Sequence, residues 1–277
     1  MKYFRRILVC YSPEKDKCGV IANQVAEEAK ILHNPIIPSE VDIISVDDTF
    51  VVDKMYDLAI SVGGDGTFLR LAHLMSPYST PIIGVNLGRR GFMPEIEKEN
   101  IKFAFEKINK GEFTIKNYPY LFGSVNDDED FDIAVNDIFI CKAQSLKTVE
   151  LSLFIDDTYV EDYICDGILV SSAFGSTAYN RALNGSVVHP DCPVFVITPV
   201  GTADKKFQSL VVPNTSHIKI VVFRCGDKGV EVGFDGTQAV FGLKENDVLE
   251  ILDNSHHFKM IHLDSFDYYE NIRRKLG

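Results

Sequence analysis

Gly63-Gly64-Asp65-Gly66-Thr67 places three glycines, a carboxylate and a hydroxyl in five consecutive residues, a combination suited to handling phosphate. Glycine lacks a Cβ and tolerates backbone conformations that other residues avoid, so such a turn can approach a ligand closely with its N–H groups directed at it. The apolar run Leu58 to Val62 ahead of it reads as a buried strand, and Phe68, Leu71, Ala72 and Met75 behind it fall at helical spacing. A strand hands over to a helix through the glycine turn. The helix N-terminus adds partial positive charge, with Thr67 as its candidate N-cap. Gly63, Gly64, Gly66, Thr67 and Arg70 are therefore candidates to hold a polyphosphate. Asp65 is the odd member of an anion site, expected either to bind a cation or to take a proton from an attacking hydroxyl.

Other stretches offer complementary chemistry. Gly84-Val85-Asn86-Leu87-Gly88-Arg89-Arg90-Gly91-Phe92 is a second glycine-rich turn after an apolar strand, and two such turns at the carboxyl ends of parallel strands can face one cleft. Gly88 and Arg89 join the phosphate candidates, with an ordinary solvated loop as the alternative. Asn136-Asp137 sets an amide and a carboxylate inside an apolar stretch, able to meet an adenine edge and vicinal ribose hydroxyls. Adjacent strand residues face opposite ways, so a joint role requires a strand end or a bulge; a hairpin turn is the alternative. Asp166-Gly167 leads through Ser171-Ser172 to Gly175-Ser176-Thr177-Ala178-Tyr179, small and hydroxyl residues before a short helix near 177–183. That is a place for a polyphosphate or an amide, or simply a helix cap. Asp235-Gly236-Thr237-Gln238 reads as a hairpin turn.

The elements that must position these residues change character along the chain. Strands at 5–11, 41–46, 58–62 and 81–86 alternate with helical patterns at Ile21, Val25, Ala29 and Leu32 and at Ile101, Phe105 and Ile108. Such alternation predicts a parallel sheet covered by helices, with ligands at the carboxyl ends of its strands. After about residue 115 the period becomes two, as in Val149, Leu151, Leu153 and Ile155. Strands are expected at 113–125, 133–141, 147–156, 158–164, 167–172, 194–199, 217–225, 230–235, 247–252 and 257–263. The tail from Ser265 to Leu276, with Tyr269, Ile272 and a basic last turn, predicts a helix. The expected organisation is an α/β domain at 1–115, a sandwich-like all-β domain at 116–263, and a terminal helix at 264–277 returning to the first.

Composition narrows the function classes. A chain of 277 residues, 45% hydrophobic, can bury a full core. A formal charge of −12 without a Lys/Arg block argues against a nucleic-acid or anionic-membrane binder. The six cysteines form no Cys-x-x-Cys pair and read as reduced thiols. Behind Lys2, Arg5 and Arg6 the apolar run is only Ile7 to Cys10, too short for a secretory segment, so a cytoplasmic location is expected.

Taken together the motifs resemble those of the NAD kinase family, within the superfamily that also holds diacylglycerol kinases and phosphofructokinases. The resemblance spans most of the chain: Gly-Gly-Asp-Gly-Thr, Gly-Val-Asn-Leu-Gly-Arg-x-Gly-Phe, the Asn-Asp pair, Asp-Gly followed by Gly-Ser-Thr-Ala-Tyr, Leu210-Val211-Val212-Pro213, Asp-Gly-x-Gln and the basic tail. It implies that Asp65 is the catalytic base on the adenosine-ribose 2′-hydroxyl of NAD. It implies further that Asn136 and Asp137 hold the NAD, and that Gly66, Phe92, Asp166, Thr177, Ala178 and Tyr179 shape the same site. Mg²⁺ as cofactor, ATP or inorganic polyphosphate as donor, and a homodimer or homotetramer follow from the same resemblance. The chain departs from the family pattern in having Asp137 where Glu is usual, Ser172-Ala173-Phe174 where many members have Thr-Pro-Thr, and Gln208 where Arg is common. A lipid kinase with the same glycine turn, which would leave Asn136-Asp137 and Gly175 to Tyr179 without purpose, and a non-catalytic NAD(H)-sensing module are the alternatives.

Overall fold

Val-, Ile- and Leu-rich strands that are buried along their whole length can only lie inside a sheet covered on both faces, and β3 (Leu58–Gly63) is buried at every position. The computed structural model describes residues 4–32, 38–47, 52–88, 91–126, 131–144, 146–202, 208–236, 238–253, 256–265 and 267–276. The chain forms two units, Met1–Asn117 with His257–Gly277, and Tyr118–His256.

In the first unit β3 pairs in parallel with β1 (Arg6–Tyr11) and β4 (Pro81–Asn86), and β1 with β2 (Glu40–Ser45). The sheet runs β2-β1-β3-β4, then the strand His257–Leu263, then β6 (Phe113–Pro119), with the two-residue β5 (Ile96–Glu97) beside β4. Helices α1 (Val20–Ala29) and α3 (Ile101–Lys110) bury Val25, Ala29, Ile101 and Phe105 against Ile7, Val9, Ile60, Val62 and Val85. The residues of alternate parity, Leu8, Ala59 and Ile82, are equally buried, and α2 (Asp65–Met75) packs on β3 and β1. The strand His257–Leu263, read from its pattern as the last of the all-β domain, instead pairs in parallel with β4. Phe258, Met260, Ile261 and His262 are all buried, as an interior strand of a two-face-covered sheet requires. Alternation alone could not say which sheet it joins. Helix α5 (Tyr268–Leu276) belongs to this unit and is shorter than expected; Phe266 lies outside the described residues.

Among its described residues the second unit is built of antiparallel strands with one short α-helix, α4 (Tyr179–Ala182). Its strands are β7 (Leu121–Val125), β8 (Asp132–Ala134), β9 (Asp137–Lys142), β10 (Val149–Ile155), β11 (Thr158–Cys165), β12 (Gly167–Ser172), β13 (Val194–Val200), β14 (Leu210–Pro213), β15 (Ile218–Arg224), β16 (Val230–Phe234), β17 (Gln238–Leu243) and β18 (Val248–Leu252). One sheet runs β11-β10-β15-β18-β7-β8 and the other β14-β13-β12-β9-β16-β17. One apolar core holds Leu151, Leu153 and Ile220 of the first with Ile140, Ile168 and Val232 of the second, so the two sheets form a sandwich. The expected strand 133–141 is broken at Val135-Asn136, where the chain leaves one sheet for the other. Likewise 113–125 is two strands divided at Tyr120. The strands β14, β17 and β5 were not legible as strands, being short or interrupted by glycine. Among the described residues no helix is long and apolar enough to cross a membrane.

Candidate functional site

In the first unit the glycine turn sits at the carboxyl end of β3, and α2 starts at Asp65 with Gly64 as its extended N-cap, φ −129° and ψ −164°. Thr67, expected as the cap, is instead buried inside the first turn. Its side chain folds back onto Gly63, where a Cβ would collide with Thr67 Oγ1; glycine at 63 is what lets the helix begin so early. Asp65 reaches the second glycine turn. Its Oδ1 accepts the N–H groups of Phe92 at 2.8 Å and Met93 at 2.9 Å, and Oδ2 shares the Phe92 N–H at 3.1 Å. Leu87 N–H donates to Gly63 O at 2.7 Å. The two turns therefore lie side by side, as neighbouring parallel strands dictate.

A cleft of about 200 Å³ opens over the start of α2, lined by Ser12, Lys15, Asp47, Gly66, Thr67 and Arg70 among others. A Cβ built on Gly66 would touch nothing within 4 Å, so packing within the protein does not demand glycine there; close approach of something in the cleft would. Lys15 is the residue that the sequence reading missed. It lies in the loop after β1, and a Cβ on Gly64 would collide with its ammonium, while one on Gly88 would lie 3.4 Å from it. The ammonium thus stands over both glycine turns, and among the described residues it makes no ion pair. Its signal was positional: a lysine just past the carboxyl end of the strand next to β3. Arg70 is exposed and bonds Asp47 at 3.1 Å. Gly88 spends its N–H on Asn86 Oδ1 at 2.9 Å, so it contributes space more than a donor. Arg89, Arg90 and Thr237 lie outside the described residues.

In the second unit Asn136 lies in the break between β8 and β9 and Asp137 opens β9, which is the strand end that a joint role requires. Asp235, read from the sequence as a mere turn residue, makes the break possible. Its carboxylate accepts the N–H groups of Val135 at 2.8 Å, Asn136 at 2.7 Å and Asp137 at 3.1 Å, donors that a sheet ladder no longer serves. Asn136 O accepts the N–H of Ser172 at 2.9 Å and the hydroxyl of Ser171 at 3.1 Å, and Ser172 Oγ bridges Val135 O and Gly175 N–H. Gly175 lies so close that a Cβ would collide with Asn136 O and Cα. Ser172 thus closes the loop that carries Ala173-Phe174 in this chain. Asn136 and Asp137 are both buried, and Asn136 Oδ1 has no hydrogen-bond partner among the described residues. Burial, and then the charge of Asp235, push the Asp137 carboxyl up to about 7.

Thr177 and Ala178 are half-buried and Tyr179 is exposed. The Tyr179 ring stands edge-on to Phe139 at 5.6 Å, and Phe139 shares a strand face with Asp137. Behind them the buried Asn180 donates to Ser176 O and Ser186 O and accepts from the Thr198 hydroxyl, fixing the loop. Asp166 is elsewhere. β9 and β12 pair Ser171 with Asp137 but Gly167 with Cys141, so Asp166 stands at the far end of β12, ion-paired with Lys142. Within the unit, the Asn-Asp pair, Ser171, Ser172 and Gly175 converge and Asp166 does not.

Among the described residues no three His, Cys, Asp or Glu side chains converge as a metal cage. Mg²⁺ rarely needs one, since it keeps several waters and binds through one or two carboxylates plus substrate phosphates.

Residues 14–113 match the family model described as the ATP-NAD kinase N-terminal domain, and residues 135–263 that of the ATP-NAD kinase C-terminal domain. A protein named NAD kinase from Moorella thermoacetica is 35% identical over 219 residues, 78% of this chain and 70% of the relative. One of the same name from Carboxydothermus hydrogenoformans is 28% identical over 93% of this chain and 94% of its own length. Among solved structures, an NAD kinase from Archaeoglobus fulgidus in complex with ATP superposes with a TM-score of 0.77 at 23% identity, covering 98% of each chain. Yeast NADH kinase complexed with NADH gives 0.78 at 20% identity, covering 100% of this chain and 89% of that one. At those identities the two structures speak to the fold.

Proposed function

Because this chain belongs to the NAD kinase family and is a phosphotransferase with an alcohol acceptor, we propose that it moves the terminal phosphoryl group of ATP onto the adenosine-ribose 2′-hydroxyl of NAD, giving NADP and ADP. Phosphoryl transfer runs through a loose transition state, so the protein's task is to position the reactants and stabilise charge. In the first unit the start of α2, with Gly64, Gly66 and Thr67, cradles the donor phosphates. Lys15 supplies the positive charge over the two glycine turns, and Arg70 stands at the cleft's edge. Mg²⁺ bound to the donor would neutralise phosphate charge, held by those phosphates and water, with Asp65 the nearest carboxylate of the turn.

Asp65 orients the acceptor hydroxyl and takes its proton as the new P–O bond forms. A carboxylate offers about four lone-pair sites, and the amides of Phe92 and Met93 occupy three of them. One site on Oδ2 is left for a hydroxyl. In the second unit Asn136 offers its buried carbonyl oxygen to the exocyclic amine of adenine, and Asp137 accepts from ribose hydroxyls. Thr177, Ala178 and Tyr179 border that place and Phe92 borders the glycine turns, while Asp166, at the other end of β12 and ion-paired with Lys142, has no part in it. The observation that carries this reading is the unpartnered Oδ1 of Asn136 beside a buried carboxylate. A buried acceptor without a partner is costly unless a ligand satisfies it. The same reading has the enzyme act in the cytoplasm as a homodimer or homotetramer. The test is to incubate the pure protein with Mg²⁺, NAD or NADH, and ATP or polyphosphate, and to assay NADP(H) by enzymatic cycling. NADP formed from ATP and NAD is expected; no NADP(H) from any combination overturns the assignment.

A further inference from the structure

Among the described residues helix α5 contributes none to the lining of the cleft over α2, yet it grips the second glycine turn along its length. Near its start, the Tyr268 ring meets Phe92 edge-on at 5.9 Å. One turn further, the buried Asn271 donates its amide N–H to Phe92 O at 3.2 Å. The Phe92 residue is thereby held at both ends, since its own N–H is the one given to Asp65. In the last turn Lys275, whose side chain is only 5% exposed, and Arg274 both donate to Glu97 Oε1 at 2.9 Å. The other oxygen of Glu97 accepts from Asn86 Nδ2 at 3.2 Å, and Asn86 Oδ1 accepts from Gly88 N–H. Two chains of hydrogen bonds thus run from α5 into the second turn, one ending on Asp65 and one on Gly88.

We infer that α5 is a positioning element for phosphoryl transfer: Asn271, holding Phe92, and Lys275, acting through Glu97 and Asn86 on Gly88, keep the second turn where the Phe92 and Met93 amides fix the direction of the Asp65 carboxylate. The inference rests on the reading of Asp65 as the reacting base. A short carboxylate on the first turn of a helix has several staggered rotamers open to it. Only partners outside the helix select one, and here both are backbone amides, those of Phe92 and Met93. The direction of those amides depends in turn on what holds the same residues, and α5 holds Phe92 through its carbonyl and its ring. Within the relay Lys275 counts for more than Arg274, whose half-exposed ion pair is screened by water.

The test uses Asn271→Leu, close in volume but unable to donate, and the pair Lys275→Met and Lys275→Arg. Hydrogen exchange of the Phe92 and Met93 amides reads positioning without reference to catalysis. In Asn271→Leu it accelerates at least about tenfold while the β4 amides keep their protection. Unchanged exchange at 92 and 93 overturns the inference, whatever the wild-type activity. In turnover, kcat falls by about 10- to 100-fold with both KM values within about twofold, the size of loss that slight misplacement of a reacting group brings. Lys275→Met loses part of the same, and Lys275→Arg restores it. In an Asp65→Asn background Asn271→Leu has no further effect on kcat. Equal losses in both backgrounds, tracking a lowered Tm, mean general structural support and likewise overturn it. A wild type that makes no NADP(H) overturns the proposed function, and the exchange measurement then judges α5 by itself.

Discussion

At Asp65 chemistry and architecture share one side chain, because the carboxylate proposed to take the proton also ties the two glycine turns together. Asp65→Asn keeps an oxygen for those amides but can neither accept the proton nor carry the charge. Loss of general-base assistance costs about 10²–10⁴-fold in rate, so kcat is expected to fall by that order while NAD affinity changes little. Steady-state kinetics with calorimetry checks the split, and a raised KM with kcat intact would reassign Asp65 to binding. Lys15→Ala should raise KM for ATP and lower kcat without moving Tm, because the residue is exposed. A lost charge-assisted bond of roughly 1.5–3 kcal/mol corresponds to about 10- to 100-fold in kcat/KM for ATP. Asp137 behaves differently. Its carboxyl, at about 7 in the folded protein against an ordinary 3.8, holds a proton between those values that the unfolded chain has released. Its contribution to stability is therefore present at about pH 4, is lost as pH rises to about 7, and is flat above. Asp137→Asn removes the titration, so its Tm should exceed wild type at pH 8 and converge with it toward pH 4, while calorimetry shows weaker NAD binding. Stability lost to hold an ionised buried group is a common mark of a binding site.

At the scale of elements, a strand that changes sheets makes the second candidate site. Where β8 ends and β9 begins, three backbone N–H groups lose their ladder partners and Asp235 takes all three. The break frees Asn136 from the alternation of a regular strand. Gly175 then brings the loop before α4 against the Asn136 backbone. Gly175→Ala would force these segments apart, and overpacking of this kind costs about 1–3 kcal/mol. A lowered Tm together with weaker NAD binding is expected; wild-type NAD affinity in the variant would separate the loop from the site.

For the whole molecule the charge of −12 means that anionic substrates arrive against the average field and must be held by local groups. With no three-ligand cage among the described residues, divalent metal is expected to enter with the nucleotide. Titration of Mg²⁺ into the protein alone should give no measurable heat, whereas EDTA should abolish turnover in the presence of ATP and NAD. Turnover undiminished by EDTA would remove the metal from the mechanism.

The order of strands and helices, the glycine turn at a strand's carboxyl end, and the family itself were readable from residue types and their periods. These are local properties: a buried strand, a helix face and a close-approach turn each announce themselves within about ten residues. What the sequence could not assign was set by pairing across long separations. His257–Leu263 joins the first sheet because β4 offers it an edge there. Asp235 becomes the anchor of the Asn-Asp break about a hundred residues upstream of it, and Lys15 comes to stand over turns that begin roughly fifty residues later. Asp166, adjacent in sequence to the strand that ends beside Asp137, is carried to its other end by the antiparallel register. Only the fold decides such neighbours, because a side chain's partners depend on which strands pair and in what register, and an alternating pattern carries no label for either.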